Sequence, residues 1–144
     1  MKFNLLGKAL IAFCSTAAFA YANSAVVAFD RGLTADISGN FQEAIKQFSI
    51  AIKEDSNYAY AYNNRGVIYR SLGDHNKAIE DYNQAIKIDP TFAYAYYNRG
   101  LVYYNLGNKS KAIADFTQAT KIDPNYRRLQ PSARDRSELF RRLQ

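Results

Sequence analysis

Cysteine, histidine and methionine occur once each in the 144 residues, proline three times, and tryptophan not at all. One Cys and one His leave little material for a zinc cluster, a disulfide framework or a Cys–His nucleophile pair, so no metal site and no cofactor are expected. His75 has no second His or Cys to complete a ligand set, and is expected at the surface. No glycine-rich phosphate loop stands out, because the glycines recur at regular intervals and mark turns and close packing. The acids Glu80 and Asp81 sit where solvation or pairing with Arg65 explains them more simply than acid–base chemistry does. Catalysis is therefore not expected.

Aromatic residues are the opposite case, with twelve Tyr and nine Phe, large apolar surfaces that in Tyr carry a polar tip. Apolar residues make up 48% of the chain and charged ones 22%, which fits one folded domain. The net charge of +6 is unevenly placed. Lys2 and Lys8 stand in residues 1–22, and residues 23–126 hold eleven bases and eleven acids. Residues 127–144 carry six Arg against Asp135 and Glu138, so the body is neutral and the tail is +4. A neutral body argues against a nucleic-acid partner.

The first 22 residues read as a secretory signal peptide. Two Lys and no acid open the chain, Ala9 to Ala20 is uncharged, and Ala18-Phe19-Ala20 and Ala20-Tyr21-Ala22 both fit a small-x-small cleavage site. Lys8 interrupts the apolar run, which makes an uncleaved anchor the weaker alternative. Phe13 before Cys14 is too bulky for a bacterial lipobox, and cleavage after Ala20 or Ala22 removes Cys14. An exported chain without a thiol suits an oxidising compartment. The expected location is the periplasm or envelope of a Gram-negative bacterium, with secretion as an alternative.

The rest of the chain repeats every 34 residues. Residues 57–90 and 91–124 share 20 identities in 34 positions, and residues 23–56 are a diverged third copy that keeps Arg31-Gly32, Gly39-Asn40, Ala44-Ile45, Phe48 and Ala51. Each copy predicts two helices. Tyr62, Gly66 and Tyr69 recur at i, i+4, i+7, as do Ala78, Tyr82 and Ala85, which is the spacing of one helix face. Gly73-Asp74 breaks the two runs, and Asp89-Pro90 stops the second, since the residue before Pro is driven out of the helical region. Gly66 and Ala78 leave room for the helices to approach. A single hairpin cannot bury its apolar face, so about three must stack.

These residues closely resemble the tetratricopeptide repeat family. Of the eight consensus positions, the second copy matches seven (Tyr62, Gly66, Tyr69, Ala78, Tyr82, Ala85, Pro90), and the third matches seven (Tyr96, Gly100, Tyr103, Ala112, Phe116, Ala119, Pro124). The first matches four, at Gly32, Ala44, Phe48 and Ala51. The resemblance implies an all-α, right-handed superhelical solenoid of three helix-turn-helix hairpins with a C-terminal capping helix. All three copies depart from it with Arg31, Arg65 and Arg99 where the family usually has Leu. Asp81 and Asp115 follow 16 residues after Arg65 and Arg99, whereas the first copy offers Gln47. Structural ion pairs Arg65–Asp81 and Arg99–Asp115 are expected, and the alternative is that these Arg face a ligand carboxylate.

The family's concave groove, carried across, would be lined by Phe29 and Leu33, then Tyr60, Asn63, Val67 and Arg70, then Tyr94, Tyr97, Leu101 and Tyr104. An aromatic, amide-bearing lining with one base suits an apolar or Tyr-stacking segment of a protein or peptide. The alternative is that these Tyr pack between repeats. The positions that clamp chaperone C-terminal carboxylates in one subfamily are here Phe29, Leu33, Asn64, Tyr94 and Asn98, of which only Asn64 agrees. That two-carboxylate clamp is absent. In the tail, Pro131, Ser132 and Asp135 suggest a helix over 131–143 that presents Arg134, Arg136, Arg141 and Arg142. It would serve as a solubilising cap or dock on an anionic membrane. The expected function is a noncatalytic adaptor, the alternatives being a self-assembling or membrane-docking structural protein, or a secreted effector.

Overall fold

A computed structural model describes residues 24–124, and most of them are helical. The six helices are α1 (24–37), α2 (Phe41–Glu54), α3 (Ala59–Ser71), α4 (His75–Ile88), α5 (Ala93–Asn105) and α6 (Lys109–Ile122). The described residues contain no strand. The expected signal peptide and the expected Arg-bearing helix over 131–143 lie outside them. The chain divides into two compact units between Ala61 and Tyr62, in the first turn of α3.

One joint closes every hairpin. Gly39, Gly73 and Gly107 take φ of +74°, +81° and +75°, a left-handed conformation that any side chain would strain. At the middle joint the Gly73 N–H donates to the Arg70 carbonyl and the Asp74 N–H to the Tyr69 carbonyl, at 3.0 and 2.9 Å. Both bonds satisfy carbonyls that the end of α3 would otherwise leave unpaired. The next side chain then starts the following helix. Asn40, Asp74 and Asn108 each accept from the N–H three residues on, at 3.3, 3.3 and 3.2 Å.

Small residues allow the two helices of a hairpin to meet. A Cβ on Gly66 would stand 2.8 Å from the Tyr82 ring, and one on Gly100 would stand 2.8 Å from Phe116 and 3.2 Å from the Asp115 Cβ. In the first unit a Cβ on Gly32 would likewise stand 2.5 Å from the Phe48 ring. Its core holds Ala28, Ala51 and Ala61, with Phe29, Ile52 and Tyr58 packed against them. In the second unit Ala78 and Tyr82 of α4 meet Val102 of α5, and Val67, Tyr69 and Ile79 close around them. This places α4 against both α3 and α5, which fixes the faces that remain to α3 and α5.

Candidate functional site

Two sets of polar side chains organise the second unit. One is an ionic seam between the helices of each hairpin. Arg65 of α3 donates from Nε and Nη2 to both carboxylate oxygens of Asp81 on α4, at 2.8 and 2.7 Å. Arg99 of α5 repeats this fork on Asp115 of α6, at 2.8 and 2.7 Å. The carboxylates are buried, and the Arg side chains are 19% exposed in both pairs. Such forks carry charge and geometry together. Burial pushes the Asp81 carboxyl above its ordinary value, and Arg65 pulls it only part of the way back. Burial also works against the Arg65 charge, but there the bonds and charge of Asp81 prevail and hold the guanidinium up.

Aromatic rings sandwich each guanidinium. Arg65 lies 5.8 Å from the Tyr62 ring and 5.9 Å from Tyr69, whose ring also receives Lys77 at 5.3 Å. Arg99 stands 5.6 Å from Tyr96 and 6.0 Å from Tyr103, with Lys111 at 5.1 Å from Tyr103. Tyr three residues before and four after each Arg share its helix face, so the arrangement follows from helical period. Arg99 has a further role: its Nη1 donates to Asn83 Oδ1 of α4 at 2.6 Å. One guanidinium thus ties three helices. The diverged first copy lacks this set, with Arg31 exposed and Gln47 donating instead to Glu43 at 2.7 Å.

The second set joins α3 to α5. Asn98 Nδ2 donates to Asn63 Oδ1 at 3.0 Å, and Arg70 Nη1 donates to Asn98 Oδ1 at 3.4 Å. Asn63 is 7% exposed, so its amide carbonyl is spent inside the structure. Beside this chain run two stripes at helical spacing: Asn63, Val67 and Arg70 on α3, and Tyr94, Tyr97, Leu101 and Tyr104 on α5. Tyr94 is 49% exposed, while Val67, Arg70, Tyr97, Leu101 and Tyr104 are half-buried. Tyr97 packs its ring 5.5 Å from Phe116, and Val67 rests on the core. The residues named from the first unit separate likewise. Phe29 packs among Phe48 and Tyr58 at 5.6 and 4.9 Å, Leu33 is half-buried, and Tyr60 is 56% exposed.

Three features escaped the sequence: the Arg99–Asn83 bond, the Asn63–Asn98–Arg70 chain, and the buried hydroxyl of Tyr82. The amide pair had a signal, since Asn63 and Asn98 lie 35 apart, one repeat plus one residue, on first helices of successive copies. Among the described residues no three His, Cys, Asp or Glu side chains converge as metal ligands, and no helix is long and apolar enough to cross a membrane.

Comparison with known proteins agrees with this architecture. A TPR repeat model matches residues 66–107, and tetratricopeptide repeat models match 48–80 and 93–126. No curated protein matches the chain. Among solved structures it is similar to MamA at 33% identity and a TM-score of 0.68, over 74% of this chain and 63% of that one. It is similar to the second TPR of Spaghetti bound to the HSP90 peptide SRMEEVD, at 26% identity and a TM-score of 0.68, over 71% and 94% of the two chains. The TPR2B domain of yeast Sti1, in complex with pHsp70, matches at 25% identity and a TM-score of 0.71, over 83% and 95%. Helical hairpins of this length, the left-handed glycine joints and these matches have one account: the chain is built of tetratricopeptide repeats.

Proposed function

We propose that the chain is a noncatalytic adaptor that holds a peptide or protein segment along the α3 and α5 stripes, in an exported setting. The observation that carries this reading is the α5 stripe, where exposed Tyr94 and half-buried Leu101 and Tyr104 present aromatic and apolar surface beside bonded amides. Rigid aromatic surface with few rotatable bonds is what partner recognition favours. The neighbours with peptide or protein partners support it by kinship of fold. Their partners do not transfer as such, because Phe29, Leu33, Tyr94 and Asn98 stand where the chaperone clamp needs other residues.

A direct test selects binders from a random twelve-residue display library on the immobilised full chain, then measures the best peptide by titration calorimetry. Tyr104→Ala or Leu101→Asp should weaken that peptide by about tenfold or more. Failure to enrich any peptide, or a peptide indifferent to both substitutions, would overturn the groove reading.

The exported setting rests on Lys2, Lys8, the uncharged run Ala9 to Ala20 and the two small-x-small sites. Edman sequencing of the chain recovered from its own cells should begin at Tyr21 or Asn23. A product beginning at Met1 would remove the signal-peptide assignment.

A further inference from the structure

The stripe contains one cation, and it has no acid. Arg70 is half-buried on α3, and no Asp or Glu pairs with it among the described residues. Its hydrogen bond goes to an amide oxygen, Asn98 Oδ1. Arg65 and Arg99 differ in kind, since each spends its fork on a buried carboxylate of its own hairpin. A partly buried Arg with no counter-charge of its own is a ready partner for an approaching anion. The amide chain that holds it is itself anchored: Asn98 is tied to the buried Asn63, so the guanidinium is steadied from the side of α5. Within reach of its charge, the Tyr82 hydroxyl is buried without a hydrogen-bond partner. Burial dominates that phenol's environment, and the Arg70 charge is the main pull the other way.

We propose that Arg70 is the group in this stripe that reads a carboxylate, so the segment bound there carries one Asp or Glu side chain between apolar or aromatic residues. This rests on the groove reading above and sharpens it. A side-chain carboxylate fits better than a chain terminus for a geometric reason. On α5 the Asn98 partner has Tyr94 one turn before it and Leu101 and Tyr104 after it, so apolar side chains flank that partner in both directions along the helix. A ligand that ended at Arg70 would leave one of these flanks unused. A terminal Asp or Glu would moreover bring two carboxylates to a stripe with one base.

The test uses peptides selected as above and synthesised with a C-terminal amide, so that no terminal carboxylate is present. The selected sequences should share one acidic position within an apolar or aromatic context. Replacing that acid by its amide, or Arg70 by Gln, should each weaken binding on the order of 10- to 100-fold, and the two losses should not add. Arg70→Glu should bind the peptide in which the acid is replaced by Lys better than it binds the original, a rescue that a purely structural role would not give. Lys77→Gln, at an exposed base paired with Asp74 and outside the stripe, should leave the peptide affinity unchanged. Circular dichroism melts of each variant separate lost binding from lost fold. Peptides that bind and respond to Leu101→Asp but carry no acid, or bind Arg70→Gln unchanged, would overturn the carboxylate assignment and leave the groove standing. Binding that needs a free C-terminus would overturn it too. Failure to select any peptide would overturn both.

Discussion

Asp81→Ala should lower the stability of the chain by about 3–5 kcal/mol, because it takes the carboxylate away from the mostly buried, charged Arg65 guanidinium. The fork costs the protein something even when intact, as the upward displacement of the Asp81 carboxyl indicates: burial of the carboxylate is not fully offset by its partner. The large effect therefore belongs to breaking the pair, not to possessing it. Removing both charges should accordingly behave differently. Arg65→Leu with Asp81→Leu exchanges the pair for apolar side chains of similar volume, and such exchanges range from neutral to stabilising. The double variant should recover most of the loss, less roughly 0.5–1 kcal/mol for each cation–π contact given up with Tyr62 and Tyr69. Urea unfolding of the full chain, followed by circular dichroism, measures all of this. A single-variant loss under about 1 kcal/mol would mean water screens the pair as it would at a surface. A double variant as unstable as the single would mean that the seam holds by charge.

The second large effect lies at Tyr82, one of the largest wholly buried side chains. Tyr82→Ala should cost about 3–5 kcal/mol, from lost burial and the cavity left against Gly66, Val67 and Val102. Tyr82→Phe should go the other way, by about 1 kcal/mol, since it removes a buried hydroxyl that has no partner and keeps the ring. The corresponding positions already hold Phe48 and Phe116, and those rings pack on Gly32 and Gly100 as Tyr82 packs on Gly66. Matched urea melts decide the sign. A loss of more than about 1 kcal/mol in Tyr82→Phe would mean that the hydroxyl has a bonded partner in solution.

Most of the helical pattern was legible because its determinants are local. Gly73 followed by Asp74 contains both a left-handed stop and a side-chain start, and the 34-residue identity repeats the same instruction. The spacing of Arg65 to Asp81 was visible as well, since 16 residues separate two positions on helices that one tight joint must bring together. The stripe was legible only as a set of positions. The resemblance to the repeat family placed Asn63 and Tyr97 beside Tyr94 and Tyr104, but could not tell an amide spent on Asn98, or a ring packed on Phe116, from one presented outward. That distinction depends on contacts between successive repeats, where side-chain length and rotamer decide, and no periodicity encodes them. The bond from Arg99 to Asn83 was hidden for the same reason, because it joins a residue found in all three copies to one that is not repeated in the third, where Thr117 stands.

The hydrogen bonds that tie these helices together span 16 to 35 positions along the chain. Loop-closure entropy grows with the logarithm of that separation, so no step in assembling them requires distant parts of the polypeptide to find one another. Folding should then be quick for the size of the molecule, and each hairpin needs only its neighbour to proceed. On a ribosome, the contacts of one repeat come within reach soon after the next has emerged, and the buried charges of the seam are neutralised before much more of the chain exists.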